Sequence, residues 1–151
     1  MSILMKPKAL ASHPAGASPF TEALKSSLEA YELDDQDSIE PFTGRLAREQ
    51  GWTIAFAQRT VREYKRFILL AVSEEQTATP SDAVDQVWHQ HLTYTRDYWG
   101  PFCGRLLGRP LHHQPSAGGL SALAAHRAAY AKTLAAYQGV FGECPPGDIW
   151  P

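Results

Sequence analysis

The sequence is short of most features that point to a familiar function. Two cysteines, Cys103 and Cys144, are too few for a disulfide framework, and both read as free thiols. Basic charge is not in surplus: 14 Lys and Arg against 16 Asp and Glu give a formal net charge of −2. With no arginine-rich run and no aromatic–basic RNA motif, nucleic acid is excluded as an expected partner. No apolar run approaches the roughly 18 residues of a membrane span. Lys6, Pro7 and Lys8 interrupt the N-terminus where a signal-peptide core would have to form. The expectation is a cytoplasmic chain with no membrane partner. A glycine-rich phosphate cradle, a Walker lysine, His-Glu-x-x-His and Gly-x-Ser-x-Gly are all missing. So are strand-like alternation and internal repeats.

What is present is ordinary globular composition, 44% hydrophobic and 20% charged over 151 residues, enough for one domain with a real core. Residues 1–17, rich in Ala, Ser, Pro and Gly, read as a flexible lead-in, and 18–151 as a single helical domain. The fold class predicted is all-α: a compact bundle of about five helices, a Gly/Pro-rich loop bearing histidines, and an irregular C-terminal tail docked through Ile149 and Trp150.

Individual elements carry recognisable signals. Ser18-Pro19 is an N-cap followed by proline at the first helical position, ahead of Phe20, Leu24, Leu28 and Tyr31 at helical spacing. A short helix with Phe42 and Leu46 ends near Gly51. Ile54, Ala57, Val61, Tyr64, Ile68 and Ala71 form one helical stripe, with Arg59, Arg62, Glu63, Lys65 and Arg66 on the solvated faces. Thr79 as N-cap and Pro80 at the first helical position open a helix expected to run to Trp99, where Gly100-Pro101 stops it. A last helix carries Leu120, Leu123, Arg127, Tyr130, Leu134 and Tyr137 and is capped by Gly139.

The unusual chemistry lies between Val84 and His113. At about 100° per residue, Val84, Trp88, His91, Thr95, Tyr98 and Phe102 share one face. His89 and His91 point roughly 200° apart, so they do not chelate one ion on a regular helix. His91 sits on the apolar face and reads as a buried neutral imidazole, hydrogen-bonded to Tyr98, Tyr64 or a loop carbonyl. Asp85 and His89, at i and i+4, stand one turn apart on a separate stripe. That spacing suits two ligands of a metal, a carboxylate orienting a general-base imidazole, or a plain ion pair near a helix N-terminus.

His112-His113, held between Pro110 and Pro115, can fold back over this helix. Either one, joined to Asp85 and His89, completes a two-histidine, one-carboxylate set with open positions, suited to zinc or iron. The candidate metal residues are therefore Asp85, His89, His112 and His113. Trp88, His91, Arg96, Tyr98 and Cys103 are the structural or supporting residues. Cys103, beside Phe102 and Leu106, reads as a buried inert thiol, with a metal or nucleophilic role as its rival.

Val84-Asp85-Gln86-Val87-Trp88-His89-Gln90-His91-Leu92, followed by Thr95, Tyr98 and Cys103, resembles the plant and microbial glycine-rich domain-containing protein-like family. Arg45-Leu46, Gly51-Trp52, Glu63-Tyr64 and Phe67 upstream, and Gly108, His112-His113 and Pro115 downstream, are similar to the same pattern. The likeness spans about Ile39 to Pro115, without the glycine-rich extension. It implies a helical domain and draws attention to the His-rich segment, and it implies no activity.

The expectation is a helical domain whose His/Asp pocket binds a transition metal or small ligand, with hydrolytic or oxidative chemistry open to it. The alternative is a metal-free module for an unknown protein partner, in which Trp-His-x-His is a core signature.

Overall fold

The computed structural model describes residues 18–73 and 78–151, which are all-helical, with no strand among them. The expected lead-in, 1–17, lies outside the described residues. Helix α1 (Pro19–Ala30) opens on Ser18, whose Oγ accepts the Thr21 N–H at 3.2 Å. Leu24 and Leu28 are buried, whereas Phe20 is exposed. Helix α2 (Phe42–Gln50) closes at Gly51, where φ of 68° lets the Trp52 N–H reach back to the Ala47 carbonyl.

Helix α3 (Ile54–Ser73) is the central element and packs against α1, α2, α4 and α6. It therefore buries more than one stripe: Phe67, Leu69 and Leu70 join Ala57, Val61, Tyr64 and Ile68 in the core, while Ile54 at its start is exposed. Glu63, assigned to the solvated faces, is buried instead. Its Oε2 accepts the Trp150 indole N–H at 3.0 Å, because the C-terminal tail folds over this part of α3. Ile149 and Trp150 are both in the core, and burying side chains of this size contributes about 1.5–3 kcal/mol each. Arg59 fixes the tail from outside with two parallel bonds to Asp148, at 2.6 and 2.8 Å.

Helix α4 (Asp82–Thr93) starts later than its sequence suggests. Ser81 is the N-cap, its Oγ accepting the Val84 N–H at 3.2 Å. Thr79 does not cap; its N–H donates to Thr133 Oγ1 of the last helix at 2.9 Å, which fixes it ahead of α4. The helix also stops short of Trp99. Tyr94 leaves helical geometry (ψ 62°), and the Thr93 hydroxyl bonds the Gln90 carbonyl at 2.6 Å, competing with the helical ladder.

One turn, α5 (Thr95–Asp97), then runs into a π-helical segment, Tyr98–Leu107. Gly100-Pro101 thus lies inside helical structure rather than ending it. Pro101 lies inside that continuous run from Thr95, so its missing N–H leaves one carbonyl of the preceding turn without a ladder donor, at the place where the helix takes the wider π geometry. The break also turns Thr95 to solvent, off the face it shares with His91 in the sequence pattern.

After the loop from Gly108 to Gly119 comes α6 (Leu120–Phe141), capped by Gly142 rather than Gly139. Its core contacts come from Thr133 and Tyr137 near its C-terminal end; Leu120 and Leu123 are exposed. No helix of the described residues is long and apolar enough to cross a membrane.

Candidate functional site

The break at Tyr94 separates two polar arrangements that share α4. The first is internal. His91 is completely buried, with Nδ1 2.8 Å from the Tyr64 hydroxyl and Nε2 2.8 Å from Asp97 Oδ2. Asp97 Oδ1 in turn accepts the Tyr31 hydroxyl at 2.7 Å. A carboxylate only accepts, so Nε2 carries the imidazole proton and Nδ1 accepts from Tyr64. Every polar atom of His91 is thereby satisfied within a cage of Phe42, Tyr98 and Phe102 rings. Burial lowers the His91 pKa below the usual histidine range, against the opposing pull of Asp97. Burial likewise raises the Tyr64 and Tyr31 hydroxyls, the latter with help from Asp97. Asp97 carried no signal in the sequence: six positions after His91, it would face elsewhere on an unbroken helix.

The second arrangement is at the surface. Asp85 lies one turn inside the N-terminus of α4, where the helix dipole favours a carboxylate. Its Oδ2 is 3.1 Å from His89 Nδ1, and its Oδ1 is 2.6 Å from His113 Nε2. His113 comes from the loop 28 residues later. Its ring stacks on Trp88 (centroids 4.2 Å apart) and leans against His89 at 4.5 Å. Exposure grades across the cluster: 17% for the His113 side chain, 26% for Asp85 and 54% for His89.

Tyr98 and Trp88 brace the loop that delivers His113. The buried Tyr98 hydroxyl donates to the Leu111 carbonyl at 2.5 Å and accepts the Trp88 indole N–H at 2.9 Å. Trp88 is thus fixed at its indole nitrogen while its ring supports His113. His112 turns the other way, against Trp99, with ring centroids 5.3 Å apart. The structure therefore brings together Asp85, His89 and His113 and places His112 apart from them. Arg96 is exposed on the α5 turn. Cys103 is buried, and burial raises its thiol pKa, which keeps it in the less reactive protonated form.

One ligand atom from each of Asp85, His89 and His113 lies within 4.8 Å of the other two. Ligand atoms bonded at about 2.0–2.2 Å to one tetrahedral or trigonal ion sit roughly 3.3–3.8 Å apart. The widest pair therefore has to close by about 1 Å for the three side chains to share an ion. The donor set, two imidazoles and a carboxylate, is of a kind that zinc and iron take.

The family model that matches the chain is that of the UCP032817-like family, over residues 34–132. The chain belongs to the UCP032817-like family. This corrects the resemblance to the glycine-rich domain-containing protein-like family: the Trp-His-x-His-Leu segment that carried it lies within a span whose match is to another family. A short motif of that kind is set by local packing needs, here an indole and an imidazole on the buried face of α4, and does not by itself identify a lineage. The UCP032817-like match takes in α2, α3, α4, the π segment and the His113 loop, so the Asp85 cluster and the Tyr64–His91–Asp97 part of the internal network lie within it, with Tyr31 just outside. The family is uncharacterised, and membership brings no activity with it. No curated protein and no solved structure matches the chain.

Proposed function

We propose that this UCP032817-like domain binds a transition-metal ion, zinc or iron, through Asp85, His89 and His113. The observation that carries the reading is convergence. A loop histidine reaches the same carboxylate that already holds the i+4 histidine of α4, bringing three potential ligand atoms within 4.8 Å. The surroundings favour ligation as well. Trp88 and Tyr98 hold the His113 loop in place, which lowers the ordering cost of a site built from two elements. Three protein ligands leave positions open toward solvent on the His89 side, where an ion acts as a Lewis acid on water or a substrate oxygen. Hydrolytic or oxidative chemistry is open to such a centre, according to the metal.

Elemental analysis of untagged protein, grown with zinc, iron, copper and manganese supplied, tests the proposal. Near-stoichiometric metal that is lost in His89→Ala supports it. Metal-free protein that also takes up none on titration overturns it.

A second reading rests on the burial of Trp88 and His91. Both are core residues with satisfied hydrogen bonds, so the Trp-His-x-His segment has a sufficient role in packing without an ion. On that reading the domain is a metal-free interaction module. His89→Ala then leaves metal content at zero and changes only the melting temperature.

A further inference from the structure

We draw no further inference here: the strongest candidate, the cavity between the segment 32–40 and the Tyr94–Asp97 break, is a cluster of carboxylates (Glu32, Asp34, Asp35, Glu40 and Asp97), three of them already engaged by Thr43, Arg48 and His91, and no second feature among the described residues shows what would fill it.

Discussion

His91 Nε2 and Asp97 Oδ2 are 2.8 Å apart although an unbroken helix would turn them away from each other. The interruption at Tyr94 brings them together, and the pair links Tyr64 in the core to Tyr31 at the end of α1. One local break therefore ties three elements of the bundle through hydrogen bonds.

That chain makes His91 costly to replace. His91→Ala removes a fully buried ring and leaves the Tyr64 hydroxyl unpaired, so a loss of about 2–4 kcal/mol is expected. Asp97→Asn, which keeps the shape but loses the charge-assisted bond, is expected to cost about 1–2 kcal/mol. Urea denaturation of both single variants and the double variant checks this. Simple additivity would show that the two are not coupled.

The two adjacent loop histidines should separate cleanly. If the metal proposal holds, His113→Ala and Asp85→Asn lose bound metal, whereas His112→Ala, whose ring faces Trp99, retains it. Metal-to-protein ratios measured in parallel decide the point. Equal loss in both histidine variants would contradict the geometry described above.

Tyr98→Phe keeps the ring in the core and deletes the hydroxyl that joins Trp88 to the Leu111 carbonyl. The His113 loop should loosen, with faster amide exchange around 108–115 and about 10-fold weaker metal affinity. Unchanged exchange would mean that the loop is held by other contacts.

The tail clamp should depend on pH. Arg59 holds the Asp148 carboxyl below its ordinary range, so the folded state favours the ionised form. Its contribution is present above the unfolded aspartate pKa of about 3.9 and is lost as pH falls through the depressed folded value. The gap in urea midpoint between the parent protein and Asp148→Asn should be constant near neutrality and close in acid below about pH 4. A gap that persists in acid would show that the clamp is not ionic.

Much of this was legible in the chain itself. Helix identity follows from apolar spacing and caps: Ser18-Pro19 begins α1, Gly51 ends α2, and the Tyr64 stripe marks α3. These signals act over one or two turns, so they survive without knowledge of the rest of the fold. The spacing of Asp85 and His89 likewise fixes their proximity on any regular helix. Tertiary structure decided the rest. Ser81 rather than Thr79 caps α4, Thr79 being tied by its N–H to Thr133 of the last helix, and the docked tail buried Glu63. The break at Tyr94 delivered Asp97 to His91, and the Tyr98–Leu111 bond set which loop histidine meets Asp85. Each of those outcomes depends on partners far apart in sequence, competing for hydrogen bonds that no local pattern records.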